Sequence, residues 1–204
     1  MKYINRKLTI EKVSVNNIAK KYGTPTYCYS YTKLRENILR FKKSFKSISP
    51  LICFAIKSNT NVSLIREIKK FGLGADVVSM GELMTAIKAG ISPKKIVFSG
   101  VGKTSEEIKY AIDKKILLIN AESESEIKQI EKIAKLKKRK VQVGIRLNPN
   151  TDAKTLSQIS TGKKENKFGV NDKTFFKLIN YCKNSKNIEL HCLSVHIGSQ
   201  ILDY

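Results

Sequence analysis

The sequence has little of what builds disulfide-linked, metal-bound or membrane-spanning proteins. Its 204 residues include four cysteines and two histidines, with no CxxC pair and no cysteine–histidine spacing typical of a metal site. No apolar run approaches the ~20 residues that cross a bilayer, and residues 1–6 lack the apolar segment of a signal peptide. We therefore expect no metal, no membrane partner and a location in the reducing cytoplasm.

Acidic residues are also scarce, at 17 against 39 basic residues, and the net charge is +22. Such an excess is typical of nucleic-acid-binding proteins. However, tryptophan is absent, only six of the basic residues are arginines, and the lysines are scattered over every predicted helix. Nucleic-acid readers favour arginine and interleave aromatic residues for stacking. We interpret the charge as a compositional bias and expect no nucleic-acid partner.

Apolar runs alternate with helical patterns from residue 51 onward. The predicted strands cover 51–56, 74–78, 95–99, 115–119, 141–147 and 188–196. The predicted helices cover 62–71, 80–89, 105–114, 123–136 and 172–183, and Ser79, Ser105 and Ser123 are the predicted caps of three of them. This alternation indicates βαβ units in a parallel sheet. A strand over 26–31 and a helix over 32–45 are predicted ahead of it.

Two architectures can hold six such strands. A Rossmann-type sheet places a glycine-rich phosphate loop after its first strand, whereas Lys57 and Ser58 follow this one. A (β/α)8 barrel places polar residues at the carboxyl ends of its strands all round. Polar residues recur here at Lys57, Asp76, Ser79, Ser99, Asn120, Arg146, Asn148, His196 and Ser199. We therefore predict an α/β fold, a TIM-type (β/α)8 barrel with about six of its eight strands, preceded by a short N-terminal strand/helix segment.

Lys57 is the first residue to single out. Residues 51–56 are six apolar residues in a row, the pattern of a strand buried on both faces. Lys57 follows at the carboxyl end, which faces the ligand in α/β folds. A lysine partly removed from water there can act as a Schiff-base amine. On position alone, a surface lysine that ends a strand is the better explanation, because lysine is so common in this chain.

Residues at other strand ends allow either a structural or a ligand-binding interpretation. Residues 99–104 resemble a P-loop, but the first glycine of that motif is replaced by Val97, so a tight strand–helix turn is the better interpretation. Arg146 can reach an anion with two donors, or can form an ion pair with a neighbouring strand. His196 and Ser199 offer a ring and a hydroxyl that suit a flat, phosphorylated cofactor.

In order along the chain, these motifs resemble the group IV pyridoxal-phosphate decarboxylases, which share the alanine-racemase kind of barrel. The resemblance rests on residues 54–59, 74–83, 146–149 and 196–200, and it extends from about residue 18 to the end. The long connection 148–170 is of a length that is usually functional. Its segment 159–169 is similar to the diaminopimelate decarboxylases rather than to the ornithine or arginine enzymes.

The resemblance implies that pyridoxal 5′-phosphate is the cofactor and that Lys57 is both its attachment point and a catalytic residue. It implies that His196 stacks on the pyridine ring and that Ser199 helps to hold the phosphate. Asp76 and Arg146 would lie at the floor of the site, in the hydrogen-bond network of the cofactor. The implied reaction converts meso-2,6-diaminoheptanedioate into L-lysine and carbon dioxide, the last step of lysine biosynthesis, in a homodimer.

The resemblance also sets limits. Members of this group continue with the remaining barrel strands and a C-terminal β domain, so residues 1–31 are expected to pack on that domain and residues 32–204 to form a partial cofactor-binding barrel. We expect the 204 residues alone to be inactive and poorly stable, because an open barrel leaves two sheet edges unpaired. A decarboxylase for another basic amino acid, a racemase and a non-catalytic barrel that binds pyridoxal phosphate remain alternatives.

Overall fold

The structure, a computed structural model, describes residues 1–154, 161–162 and 167–202. It divides into two compact units, Met1–Pro50 and Leu51–Tyr204. The sequence predicts a division after residue 31, because residues 1–31 are expected to pack on a further domain. That division stays a prediction. No helix in the described part of the chain is long and apolar enough to cross a membrane.

The first unit begins with a small antiparallel sheet. Its strands are β1 (Lys2–Ile4), β2 (Lys7–Ile10) and β3 (Val13–Ser14), and the helices α1 (Val15–Tyr22) and α2 (Tyr31–Ser44) follow. Asn5 and Arg6 join β1 to β2 with φ of 48° and 58°. This left-handed pair is the backbone that a two-residue hairpin needs to match the twist of its strands.

The predicted strand over 26–31 is wrong. Residues 26–30 have no regular secondary structure, and Tyr31 is already the first residue of α2. The Ser30 hydroxyl caps that helix, accepting a hydrogen bond from the Lys33 N–H at 3.1 Å. Residues with strand propensity form a strand only beside a partner ladder, and this small sheet is built from residues 2–14 alone.

The second unit is a six-stranded parallel sheet in which each strand pairs with the next along the chain. The strands are β4 (Cys53–Ala55), β5 (Gly74–Val77), β6 (Ile96–Phe98), β7 (Leu118–Ala121), β8 (Val141–Leu147) and β9 (Ile188–Val195). The helices between them are α3 (Val62–Lys70), α4 (Met80–Lys88), α5 (Ser105–Lys114), α6 (Glu124–Leu136) and α7 (Asp172–Asn184). All six predicted strands and the α/β class are confirmed, as is a barrel that is incomplete.

The helix starts follow the predicted chemistry with one correction. Ser79 and Ser123 cap α4 and α6, each accepting a hydrogen bond from a backbone N–H three residues further on. The cap of α5 is Thr104 and not Ser105. Its hydroxyl accepts from the Glu107 N–H while the Glu107 carboxylate accepts from the Thr104 N–H, a reciprocal capping box. Ser105 therefore lies one residue too far along the chain, inside the helix.

The core lies between the sheet and its helices. Each helix buries an aliphatic side chain against the strands: Ile65, Leu83, Ile108, Ile127 and Leu178 are all at most 1% exposed. The first strand departs from the prediction of burial on both faces, because Cys53, Phe54 and Ala55 are all partly exposed. Within the described residues, β4 pairs with β5 alone and β9 pairs with β8 alone, so these two strands form the edges of the sheet.

Candidate active site

A cleft of about 1000 Å³ opens at the carboxyl ends of the strands. All five predicted site residues line it: Lys57, Asp76, Arg146, His196 and Ser199. A smaller cavity of about 390 Å³ is lined by Lys94, Lys115 and Arg139, which precede β6, β7 and β8 and so mark the opposite end of the sheet. Because barrel enzymes carry their chemistry at the carboxyl ends of the strands, the larger cleft is the candidate site.

Lys57 lies just beyond β4, in a single 3₁₀ turn formed by Ile56–Ser58. Ile56 is fully buried and anchors the turn, and the Ser58 hydroxyl closes it by donating to the Ala55 carbonyl at 2.7 Å. Lys57 itself is exposed and forms no hydrogen bond or ion pair with the residues that the structure describes. The expected partial removal from water is therefore not met, because the lysine follows an edge strand rather than an inner one.

Asp76 belongs to β5 and begins a line of polar side chains across the floor of the cleft. The Ser99 hydroxyl donates to its Oδ1 at 2.6 Å, and the Asn120 amide donates to Ser99 Oγ at 3.1 Å. Burial raises the pKa of the Asp76 carboxyl, while the Ser99 hydrogen bond and the positive charge of Lys57 act in the opposite direction. Asp76 therefore takes up a proton more readily than an exposed aspartate.

The same line continues over β8, where Gly144 leaves room for it. Asn120 and Cys192 are the ladder partners of Gly144 on its two sides, and the Cys192 Sγ lies 3.7 Å from Asn120 Oδ1. A Cβ on Gly144 would lie 2.2 Å from that oxygen and 2.7 Å from that sulfur. The missing side chain therefore lets the polar line pass from β7 to β9.

Arg146 is 7% exposed and forms an ion pair with the buried Glu122, Nη1 to Oε1, at 3.0 Å. Glu122 directly follows the neighbouring strand β7, so this is the ion pair that the sequence offered as one of two readings. The Arg146 Nη2 also donates to the His196 carbonyl oxygen at 3.1 Å. The ring of Phe168 lies 4.8 Å from the guanidinium carbon, at a distance typical of cation–π contacts.

His196 directly follows β9, and its ring lines the cleft. Partial burial lowers the pKa of the imidazole, and the positive charges of Arg146 and Lys57 lower it further. The charges of Asp76 and Glu122 act in the opposite direction. The imidazole is therefore biased towards its neutral form.

The segment that resembles a P-loop is a structural turn, as the sequence favoured. Gly100 and Gly102 have φ of +94° and +73°, and the next residue, Lys103, is 6% exposed. Its Nζ donates to the carbonyls of Gly100 and Asn120 and to Glu126 Oε1 at 2.6, 2.7 and 2.6 Å. All three ammonium donors are used within the protein, so none is left for a phosphate.

Glu122, Thr161 and Phe168 also line the cleft, and they were not predicted as site residues from the sequence. The strand predicted over 115–119 ends two residues before the observed end of β7, so Glu122 did not register as a strand-end residue. Thr161 and Phe168 belong to the connection 148–170, and the available signals were its length and the family resemblance of its segment 159–169. Of the segment 159–169, only 161–162 and 167–169 lie within the described residues.

The fold and the cleft define a class: β/α-barrel proteins whose strand ends surround an exposed lysine. The chain belongs to the family of pyridoxal-dependent decarboxylases, because the model of that family's pyridoxal binding domain matches residues 31–204. Pyridoxal phosphate is the cofactor of this domain. The family assignment predicted from the motifs is thereby confirmed.

The relatives narrow the position of the chain within that family. It is 48% identical over 182 residues to the diaminopimelate decarboxylase of Helicobacter pylori strain J99, covering 89% of the chain and 45% of that protein. It is 41% identical over 203 residues to the Aquifex aeolicus diaminopimelate decarboxylase, covering 100% and 48%. The crystal structure of the Helicobacter pylori enzyme complexed with L-lysine superposes with a TM-score of 0.90 at 45% identity, covering 92% and 48%. The chain thus spans about half the length of the relatives that it matches.

The groups in the cleft fit pyridoxal phosphate, which has an aldehyde, a flat aromatic ring and a phosphate. Lys57 provides a primary amine without an ion-pair partner among the described residues, which suits an aldehyde. The neutral imidazole of His196 suits a ring face, and the exposed hydroxyl of Ser199 can donate to a phosphate oxygen. The set of side chains is therefore compatible with this cofactor.

Proposed function

We propose that the protein decarboxylates meso-2,6-diaminoheptanedioate to L-lysine and carbon dioxide, the last step of lysine biosynthesis. The observation that carries the proposal is the meeting of Lys57, Asp76, Arg146 and His196 in one cleft at the strand ends. It is supported by the identity of 41–48% to diaminopimelate decarboxylases. A crystallised relative also binds L-lysine, the product of the proposed reaction.

Each predicted residue receives a role in holding the cofactor. Lys57 is the covalent attachment point, His196 stacks on the ring in its neutral form, and Ser199 donates to the phosphate. When bound, pyridoxal phosphate supplies the electron sink that allows a carboxylate to leave the α-carbon of an amino acid. Asp76 and Arg146 lie on the floor, where they complete the hydrogen-bond network around the cofactor.

The protonation states of the cleft suit these roles. His196 without a proton presents a ring face with no charge, which avoids repulsion from Lys57 and Arg146. Asp76 has a raised pKa and one oxygen fixed by Ser99, so its carboxyl can hold a proton close to the reacting group. These are tasks of position and protonation, which a protein must add to the chemistry of its cofactor.

The proposed substrate is inferred from the sequence of the connection 148–170. Thr161 and Phe168, which line the cleft, belong to this connection. Its sequence is similar to that of diaminopimelate decarboxylases, which act on an amino acid with a second carboxylate. Ornithine and arginine lack that carboxylate, so we expect them to be poor substrates.

The assembly of the enzyme is part of the proposal. We expect a cytoplasmic homodimer in which residues 1–31 pack on a C-terminal β domain and residues 32–204 form the cofactor-binding part. The 204 residues alone are expected to be inactive, because β4 and β9 each lack a second partner strand in the part of the chain that the structure describes. A soluble, monodisperse 204-residue polypeptide with decarboxylase activity would overturn this part.

The experiment uses protein expressed from the complete reading frame. Pyridoxal phosphate should give an absorbance band near the visible edge that survives gel filtration, and Lys57→Ala should abolish it. Lys94→Ala, which removes an exposed lysine at the opposite end of the strands, is the matched control and should keep the band. Persistence of the band in Lys57→Ala would mean that the lysine is misassigned.

Substrate assays then separate the alternatives. Release of carbon dioxide and L-lysine from meso-2,6-diaminoheptanedioate, with little turnover of ornithine or arginine, is the expected result. Preferred turnover of ornithine or arginine would identify another decarboxylase, and inversion of an α-carbon without release of carbon dioxide would identify a racemase. A stable cofactor band without any turnover would identify a non-catalytic binding protein.

A further inference from the structure

Glu122 is the most connected carboxylate of the cleft, and the roles proposed above do not include it. It follows β7 directly and is 4% exposed. Its Oε1 accepts from the Gly100 N–H at 3.0 Å and from Arg146 Nη1 at 3.0 Å. Its Oε2 accepts from Arg146 Nη1 at 3.2 Å and from the Gly169 N–H at 3.2 Å. One buried side chain thus joins three separate parts of the chain.

The three partners come from different walls of the cleft. Gly100 belongs to the turn between β6 and α5, Arg146 to the end of β8, and Gly169 to the far end of the connection 148–170. All of them are donors, and an ionised carboxylate is the side chain that offers only acceptors. A glutamine would turn an NH2 group towards at least one of these donors, and Arg146 would lose its buried counter-charge.

The two glycines let their backbone approach the carboxylate. Gly100 and Gly169 have φ of +94° and +72°, a region that side chains disfavour. A Cβ on Gly169 would also lie 2.8 Å from the Arg146 carbonyl oxygen. The glycines therefore serve the same arrangement as Glu122, since they allow two N–H groups and Arg146 to meet at one point.

Arg146 links Glu122 to the backbone of His196. Its Nη2 donates to the His196 carbonyl oxygen at 3.1 Å, and the Thr161 hydroxyl donates to the same oxygen at 2.7 Å. The backbone that presents the His196 ring is thus held from two sides. Because one of these sides depends on Arg146, it depends in turn on Glu122.

We propose that Glu122 is a positioning residue of the site: it fixes Arg146, and through Arg146 the backbone of His196, and it fastens the end of the connection 148–170 to the same point. The inference rests on the proposed function, because it assigns Glu122 a part in holding pyridoxal phosphate without touching it. Loss of the carboxylate loosens Arg146 and His196 together. Cofactor affinity falls as a result, even in protein that stays folded.

The test is a double-mutant cycle on cofactor affinity in protein expressed from the complete reading frame. Glu122→Gln should raise the Kd of pyridoxal phosphate about tenfold or more, the size expected for losing hydrogen bonds to a charged group. Arg146→Gln should do the same, and the double variant should be no worse than Arg146→Gln alone. Glu122→Asp keeps the charge and should restore part of the affinity.

Glu131→Gln is the matched control. Glu131 accepts from the hydroxyls of Tyr181 and Ser185, which tie α6 to α7, and it does not line the cleft. Its loss should lower the melting temperature but leave the Kd of pyridoxal phosphate unchanged. If Glu122→Gln fails to fold, Glu122→Asp takes its place in the cycle, with a smaller rise in the Kd of pyridoxal phosphate expected because the charge is kept, and a wild-type Kd would then overturn the positioning role.

The outcomes are distinct. A wild-type Kd in Glu122→Gln, or losses that add fully to those of Arg146→Gln, would overturn the positioning role while the proposed function stands. Failure of the unmodified protein to retain pyridoxal phosphate would instead overturn the proposed function. An equal loss of affinity in Glu131→Gln would show that the effect is general destabilisation, which also contradicts the inference.

Discussion

Replacing Gly144 with alanine tests whether the polar line across the cleft floor depends on a missing side chain. Gly144 lies in the middle of β8, with Asn120 of β7 and Cys192 of β9 as its ladder partners. Side chains in such a row point to the same face of the sheet. A new methyl group would therefore meet the Asn120 and Cys192 side chains at 2.2 and 2.7 Å, far inside contact distance.

The cost follows from how the collision can be relieved. Asn120 is 7% exposed, and its amide donates to Ser99, so turning it away breaks that bond and disturbs the partner of Asp76. Overpacking of a core costs about 1–3 kcal/mol, and a lost internal hydrogen bond adds about 1 kcal/mol. We expect Gly144→Ala to lower the free energy of unfolding by about 2–4 kcal/mol.

The assay is urea unfolding of protein expressed from the complete reading frame, followed by far-ultraviolet circular dichroism at one protein concentration. Gly81→Ala is the control, because Gly81 lies in α4 and a Cβ there meets nothing closer than Ser79 Oγ at 3.9 Å. It should stabilise the protein by up to about 1 kcal/mol through helix propensity. In a Gly144→Ala background, Asn120→Ala should cost less than it does alone. A Gly144→Ala variant within about 0.5 kcal/mol of the parent, or full additivity with Asn120→Ala, would refute the reasoning.

Three further predictions concern buried charges and titration. Lys103→Met should lower the free energy of unfolding by about 3–5 kcal/mol, because Glu126 is left buried without its cation; urea unfolding in which Lys103→Met/Glu126→Gln recovers none of the loss would contradict this. The folded protein lowers the pKa of His196, so as the pH falls below about 6.5 the imidazole binds a proton in the unfolded chain first and the folded state loses stability. His196→Gln should remove this part of the loss, and an unchanged pH profile of thermal melting would argue against it. Asp76→Asn should raise the melting temperature at pH 7, because burial raises the pKa of Asp76 and its ionised form is disfavoured. The gain in melting temperature should vanish at a pH below the pKa that the Asp76 carboxyl has in the unfolded chain, and a gain that persists there would contradict the explanation.

The order and type of the elements in the second unit could be predicted from the sequence. Apolar runs of parallel strands and capped amphipathic helices each leave a strong local pattern. The ends of the strands were less predictable, because they depend on pairing. The strand predicted to begin at Lys115 begins at Leu118, since Lys115 takes a left-handed conformation that ends α5. Leu117 then bonds to the Pro93 and Ile96 carbonyls before the ladder proper begins.

The first unit shows where local pattern fails. Its strands β1, β2 and β3 are three, four and two residues long, too short for a period of two to be recognised. The apolar and aromatic residues near Tyr27 and Tyr29 suggested a strand but have no ladder to join. The missed strands β1–β3 and the wrongly predicted strand over 26–31 have one cause. A strand forms only when a neighbouring strand pairs with it, and the sequence of one segment does not show which segment that is.

The candidate site was more predictable than the details of the fold. Polar residues at the ends of successive parallel strands must meet at one edge of the sheet, so nine strand-end residues could be expected there from the sequence. The family resemblance then selected five of them as site residues: Lys57, Asp76, Arg146, His196 and Ser199. What each one contacts could not be predicted in the same way. Glu122 was overlooked although it is buried beside Arg146, because a pairing between two strand ends requires the exact end of each strand.

The position of Lys57 and His196 in the sheet bears on how the site works. In the six-stranded sheet they follow β4 and β9, the two edge strands, whereas Asp76 and Arg146 belong to inner strands. An inner strand is fixed by ladders on both sides, and an edge strand by one ladder only. The spacing between the lysine that is proposed to carry the cofactor and the histidine that is proposed to stack on it therefore depends on what closes the sheet between β9 and β4. A catalytic group displaced by about 1 Å can lose ~100-fold in rate. Under the proposed function, closure of the sheet between β9 and β4 would therefore be a condition for catalysis as well as for stability.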